Sequence, residues 1–169
     1  FAAQGILPVE ALRLRDAGAG APQIRSRPEF PADPSYAYLV PPVPAHLRPR
    51  VTHRGPRRVS LLAASIRRAP PLTPILHCHR GETGPVAKVR GFEAAAETLF
   101  AFAAARVRAG LLTPTLCLSY GGELDRMRAL PGYEALAAAC EAHGVERFES
   151  VMSLTGMVNV GIGSLTVGF

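Results

Sequence analysis

The clearest periodic pattern in the chain covers residues 92–109, where apolar side chains recur every three or four positions. That spacing places them on one face of a helix, so an amphipathic helix is predicted there. Gly91 precedes the pattern, Glu93 lies in the first turn and Gly110 follows the last residue. An acidic first turn and a glycine after the end are typical of helix boundaries.

Shorter helical patterns occur on both sides of this segment. They are expected at residues 5–17, 56–68 and 132–143, with another stretch after Gly121-Gly122. Pro131-Gly132 should separate the last two helices, because proline cannot continue the hydrogen bonding of a helix. Residues 18–35 contain four prolines and read as a connector with a helical turn near Ile24.

Strands are predicted where β-branched and aromatic residues form short runs between turn residues. The predicted strands cover residues 36–40, 73–79, 86–90, 114–119, 145–151, 158–160 and 165–169. Residues 80–84 have turn chemistry, so the second and third strands should form a hairpin. The run 114–119 is apolar throughout, which is typical of a strand inside a parallel sheet.

Strands that alternate with helices predict an α/β fold, a sandwich built on a mixed sheet with flanking helices. The hairpin makes a purely parallel Rossmann sheet less favoured. Residues 1–50 are interpreted as a helix, a connector and a strand that lead into the lobe formed by residues 51–169.

Composition narrows the function classes. The 169 residues are 48% hydrophobic, which is enough for a packed core, yet no apolar run approaches the ~20 residues of a membrane span. The net charge of +6 comes almost wholly from arginine, with Lys88 the only lysine. Because these arginines are dispersed and aromatic residues are few, a solvated surface is favoured over a nucleic-acid-binding stripe.

Three separated cysteines, Cys78, Cys117 and Cys140, occur without a CxxC motif. An odd number of distant cysteines favours buried free thiols and a reducing compartment, so a cytoplasmic location is expected. The chain begins Phe1-Ala2 without an initiator methionine, which suggests a fragment of a longer product.

Few residues suggest covalent chemistry. His77 and His79 should share one face of a strand, but two ligands are too few for a structural zinc site; partly exposed imidazoles flanking one buried thiol are favoured over a metal site. Gly161-Ile162-Gly163 lacks the third glycine of a dinucleotide fingerprint. It suits a turn that brings backbone close to a ligand or another strand, or plain turn geometry. No catalytic residues, metal or cofactor are predicted, and binding is favoured over catalysis.

Two segments resemble the DegV family of bacterial fatty-acid-binding proteins. Residues 73–76 (TPIL), Gly81 and residues 85–90 (PVAKVR) match the order and spacing of the family's Pro-Ile-Leu strand, glycine and Lys-Val-Arg segment. Residues 61–65 (LLAAS) resemble its preceding apolar helix. Residues 160–169 (VGIGSLTVGF) resemble its closing glycine-rich segment. The resemblance covers about residues 51–169 and implies the family's C-terminal lobe, with the N-terminal lobe missing.

The resemblance implies a function and a site. The chain would bind a fatty acid without catalysis and present it to a partner, a fatty acid kinase in the family. Head-group contacts would come from Asn159, Gly161, Gly163, Ser164 and Arg90. Asn159 occupies the family's histidine position, and Ile162 replaces a proline. The alternatives are a remnant lobe without a ligand, and a phosphotransfer enzyme related to dihydroxyacetone kinase, which no acid, base or metal constellation supports.

Overall fold

The computed structural model describes residues 2–26, 36–43, 72–79 and 82–169. A short 3-10 turn, Ala2–Gly5, precedes the first helix. The helices are α1 (Ile6–Asp16), α2 (Ala21–Ser26), α3 (Phe92–Ala109), α4 (Leu124–Arg128), α5 (Tyr133–Ala142) and α6 (Leu154–Val160). The strands are β1 (Ala37–Val40), β2 (Leu72–His79), β3 (Glu82–Arg90), β4 (Thr115–Tyr120), β5 (Glu146–Val151) and β6 (Leu165–Gly168).

The described strands form one six-stranded mixed sheet in the order β3-β2-β1-β6-β4-β5. The β4–β5 pair is parallel and the other four neighbouring pairs are antiparallel. The predicted mixed α/β fold is therefore confirmed, as is the β2–β3 hairpin. The expectation for the apolar run 114–119 holds on one side only, because β4 is parallel to β5 but antiparallel to β6.

The main core lies on one face of this sheet, where α3 crosses β1, β2, β3 and β6 and packs beside α5. Alternate residues of β4 and β6 point into it, with Leu116, Leu118 and Leu165 almost fully buried. Phe100 of α3 is fully buried against the same cluster. Burying a side chain of this size contributes roughly 1.5–3 kcal/mol, so this face supplies most of the hydrophobic stabilisation.

The opposite face is covered in part by the beginning of the chain. Ala2 and Ile6 form a small buried cluster with Cys117 of β4. Gly168 of β6 lies against the same segment, since a Cβ atom added there would be 2.5 Å from the Cα atom of Ala3. The N-terminal residues are thus part of the same packed unit as the sheet, and the division at residue 50 stays a prediction.

One predicted strand is wrong. Residues 158–160 belong to α6, in spite of the two valines. The Ser153 hydroxyl accepts a hydrogen bond from the Gly156 amide at 3.2 Å and caps the first turn. Within the helix, the Asn159 side-chain amide donates to the Thr155 carbonyl at 2.8 Å. These local hydrogen bonds outweigh the weak strand preference of valine.

Strand β3 begins at Glu82, four residues before the predicted start, because pairing with β2 continues to the His79–Glu82 register. The pairing passes a register shift opposite Ile75/Leu76, which a count of alternating residues does not reveal. The predicted helix at residues 56–68 lies outside the described residues.

His77 and His79 share a face of β2 as predicted, with ring centroids 5.8 Å apart and nearly parallel. The prediction of a buried Cys78 is wrong: the thiol is partly exposed and accepts a hydrogen bond from the Thr83 hydroxyl at 3.6 Å. Cys117 and Cys140 are buried free thiols. In the described ranges no three His, Cys, Asp or Glu side chains are placed to hold a metal ion. None of the helices described there is long and apolar enough to cross a membrane.

Candidate functional site: a glycine turn beside the end of strand β4

The candidate site is the turn Gly161–Ser164, which joins α6 to β6. Gly161 and Gly163 have φ angles of 100° and 84°. Side chains other than glycine rarely adopt this region, so the turn needs glycine at both positions. Ser164 is fully buried, and its hydroxyl donates to the Val160 carbonyl at 2.8 Å. The turn is therefore fixed from both of its ends.

The turn is also joined to the end of β4. The Gly163 amide donates to the Gly121 carbonyl at 2.8 Å, and the Gly121 amide donates to the Ser164 carbonyl at 2.8 Å. A Cβ atom added to Gly121 would be 2.9 Å from the Gly163 nitrogen. The two backbones approach too closely for any side chain between them. They form one ledge, made of residues 120–122 and 161–164.

Most amides of the turn are already engaged. The Gly161 amide donates to the Met157 carbonyl at 2.8 Å, and that of Ser164 makes a long contact of 3.4 Å with Gly161. The Ile162 amide has no acceptor within the described part of the chain, and its side chain is 76% exposed. Of the donors predicted around Gly161, Gly163 and Ser164, the Ile162 amide is the one that no described residue engages.

Asn159 lies at the end of α6, two residues before the turn. Its side-chain nitrogen donates to Thr155, which uses one of the two amide hydrogens. The second hydrogen and the carbonyl oxygen are engaged by no other described residue. Asn159 is partly buried, and its side chain is held back along α6 towards Thr155.

Arg90 is not brought to the turn. It is exposed at the end of β3, and β2 and β1 separate that edge strand from β6. Three strand spacings of ~4.8 Å make a lateral separation of about 14 Å. Arg90 could reach a ligand at the turn only if the ligand extended across this end of the sheet, and its role stays a prediction.

A separate apolar cluster adjoins the turn. Leu39, Leu76, Met152 and Val160 are buried together, with Met157 packed against them. Val160 directly precedes Gly161, so the cluster and the ledge meet within one residue. The buried apolar cluster and the glycine turn are therefore directly connected through Val160.

Sequence reasoning missed two side chains at the ledge. Pro42 follows β1 and lies 3.6 Å from the position of a Cβ atom on Gly163. Tyr120 ends β4 and is 8% exposed, with its hydroxyl 4.0 Å from that same position. A polar ring at the end of a buried strand, followed by two glycines, is a signal that could have identified Tyr120.

The family model described as "Uncharacterised protein, DegV family" matches residues 1–169. The chain belongs to the DegV family. A DegV domain-containing protein from Xanthomonas campestris is 54% identical over all 169 residues, and one from Xanthomonas axonopodis is 53% identical. The chain covers 54% of each of these DegV proteins and so spans about half of their length.

Solved structures of DegV proteins share the fold. A fatty-acid-binding DegV family protein from Streptococcus agalactiae has a TM-score of 0.64 at 18% identity; 98% of this chain and 54% of that protein are covered. DegV from Bacillus subtilis, a fatty-acid-binding protein, has a TM-score of 0.66 at 18% identity, with 98% and 55% covered. A stearic-acid-binding protein from Eubacterium ventriosum has a TM-score of 0.69 at 13% identity, with 98% and 54% covered.

Proposed function

We propose that this chain binds a fatty acid without covalent chemistry, with the carboxylate at the glycine ledge and the acyl chain against the adjoining apolar cluster. The observation that carries the proposal is the contact between those two features, where Val160 of the cluster is followed by the Gly161–Ser164 turn. DegV proteins of the same fold are named as fatty-acid-binding, which supports the same ligand class here.

The polar end of the proposed site fits a carboxylate. A carboxylate accepts hydrogen bonds and is stabilised by oriented donors. Within the described residues, the Ile162 amide and the second amide hydrogen of Asn159 have no other partner, and the two residues are three positions apart in the chain. Asn159 carries no charge, so the site would hold the head group by hydrogen bonds rather than by an ion pair.

The apolar end fits an acyl chain. Each buried methylene contributes roughly 0.8 kcal/mol, so chain length should dominate affinity. Met152 and Met157 suit such a wall, because unbranched thioether side chains adapt their shape to a ligand.

The direct test is titration of the chain with palmitate, followed by calorimetry and native mass spectrometry. A 1:1 complex is expected. Asn159→Asp should weaken palmitate binding at least tenfold, because it places a negative charge beside the carboxylate. Thr98→Asp adds the same charge at an exposed position of α3 and should change the affinity by less than threefold. A wild-type chain that binds no palmitate would overturn the proposal.

We further propose that the bound carboxylate is presented to a fatty acid kinase. This is supported by exposed apolar side chains along α6 and the turn that follows it, of which Leu154 is 74% and Ile162 76% exposed. With such a kinase and ATP, Leu154→Asp should lower acyl phosphate formation several-fold and leave palmitate affinity unchanged. Equal turnover with both forms of the chain would count against docking at this surface.

A further inference from the structure

Tyr120 combines a deeply buried ring with a hydroxyl group that no described residue uses. The side chain is 8% exposed and its ring belongs to the main core. A Cβ atom on Gly122 would be 3.0 Å from the ring atom Cε1, so glycine there leaves room for the ring. The backbone carbonyl of Tyr120 accepts from the Met152 amide at 2.7 Å. The ring is thus held in one place by the core, while its hydroxyl has no partner among the described residues.

This hydroxyl is not fully excluded from solvent. Among the described residues, two side-chain polar atoms are buried from solvent and have no hydrogen-bond partner. They are His77 Nε2 and Arg147 Nη1. Because the unpaired Tyr120 oxygen is not one of them, it keeps some contact with solvent. It lies 4.0 Å from the position a Gly163 Cβ atom would occupy, with Pro42 on the same side of that glycine.

We propose that the Tyr120 hydroxyl donates a hydrogen bond to the carboxylate of the bound fatty acid and so favours free acids over esters. This inference rests on the proposed function and names a further recognition residue in the same site. Because the hydroxyl keeps contact with solvent, water can accept its hydrogen bond in the free chain. A carboxylate at the ledge would replace that water with a charged acceptor, which forms a stronger hydrogen bond, and the core fixes the ring in advance.

The alternative is that the hydroxyl serves only the packing of the fold. The two roles make opposite forecasts for Tyr120→Phe. A group with no partner in the protein contributes no intramolecular hydrogen bond, so its removal should leave the urea midpoint of unfolding unchanged. If the carboxylate is its partner, the same change should weaken palmitate binding about tenfold, which corresponds to about 1.4 kcal/mol.

Tyr133 provides a matched control on α5. It is similarly buried, at 6% exposure, but its hydroxyl donates to the Glu149 carboxylate, which also accepts from Arg128 at 2.9 Å. Tyr133→Phe should therefore raise the unfolding equilibrium constant about tenfold and leave palmitate affinity unchanged. The two variants remove the same atom and should affect different properties.

The experiment measures affinities for palmitate and for methyl palmitate, together with urea unfolding, for the wild-type chain and both variants. Tyr120→Phe should reduce palmitate affinity about tenfold, reduce ester affinity by less than threefold and keep the midpoint of unfolding. Unchanged palmitate affinity in Tyr120→Phe, or equal losses for acid and ester, would overturn the role of Tyr120. Absence of palmitate binding by the wild-type chain would instead overturn the proposed function itself.

Discussion

Gly121 illustrates how a missing side chain determines the geometry of the ledge. A methyl group there would contact backbone atoms of Gly161, Gly163 and Ser164, the nearest at 2.9 Å. Backbone atoms cannot rotate away as a long side chain can, so the turn would have to move. The position is inconspicuous in the sequence, because the close approach joins segments that are about forty residues apart.

We expect Gly121→Ala to cost about 1–3 kcal/mol of unfolding free energy, the usual range for an overpacked site. It should also abolish palmitate binding, since the ledge is displaced. Urea denaturation and calorimetry measure both effects. Gly84→Ala is the control: Gly84 has open space around its Cβ position and no positive φ angle, so a change within about 0.5 kcal/mol is expected. Equal losses for both variants would contradict the backbone argument.

His77 belongs to an aromatic group that includes Tyr36, Tyr38 and His79. Its Nε2 atom is buried and has no hydrogen-bond partner among the described residues. Burial, and secondarily the charge on His79, lower the pKa of His77 below its usual value. In the unfolded chain the group titrates near ~6.5. As the pH falls below that value, the unfolded chain takes up a proton that the folded chain resists, so stability decreases.

His77→Phe should therefore flatten the fall in stability between about pH 7 and pH 5, because phenylalanine stays neutral and can stack in the same place. The urea midpoint at several pH values measures the slope. A His77→Phe slope equal to that of the wild type would show that other groups cause the acid sensitivity.

At the scale of elements, helices α3 and α6 show when a helix can be predicted from the sequence and when it cannot. Helix α3 could be predicted to the residue, because eighteen residues contain several turns of a consistent apolar pattern. Helix α6 has seven residues, too few for its period to be distinguished from that of a strand. The glycine turn was identified from its residue types, but Tyr120 and Pro42 were not, since only the sheet order brings β4, β1 and the turn together.

Ser153 is the residue on which α6 depends. Its hydroxyl is the side-chain acceptor at the first turn, and α6 in turn supplies Asn159 to the ledge. Ser153→Ala should cost about 1 kcal/mol of stability, as loss of a helix cap usually does. It should also weaken palmitate binding several-fold. Ser153→Thr keeps the acceptor and should restore both properties; a threonine variant as impaired as the alanine variant would refute the capping role.

At the scale of the whole molecule, the sheet is buried by different parts of the chain on its two faces. Helices α3 and α5 cover one face, where Cys140 of α5 is buried in the main core, and the segment Ala2–Ile6 covers Cys117 on the other face. A Cβ atom on Gly5 would lie 3.1 Å from the Cys117 sulfur, so this segment passes directly over the thiol. Burial raises the pKa of Cys117 to about 11, and the pKa of Cys140 is raised for the same reason.

These thiols can report on whether the N-terminal segment stays in place. In the wild-type chain at pH 8, partly exposed Cys78 should react quickly with a thiol reagent, while Cys117 and Cys140 react slowly, because the thiolate is the reactive form. Gly168→Ala would place a Cβ atom 2.4 Å from the Ala3 nitrogen and should displace the segment.

Cys117 labelling in Gly168→Ala should then accelerate at least tenfold, with Cys140 protected as before, because Cys140 lies on α5 in the main core, away from the N-terminal segment. Peptide mass spectrometry after timed alkylation distinguishes the three sites, and Gly84→Ala should label like the wild type. Parallel acceleration of Cys117 and Cys140 would indicate general loosening of the fold. Continued protection of Cys117 would contradict the prediction. It would mean that the segment adjusts to the added methyl group without exposing the thiol.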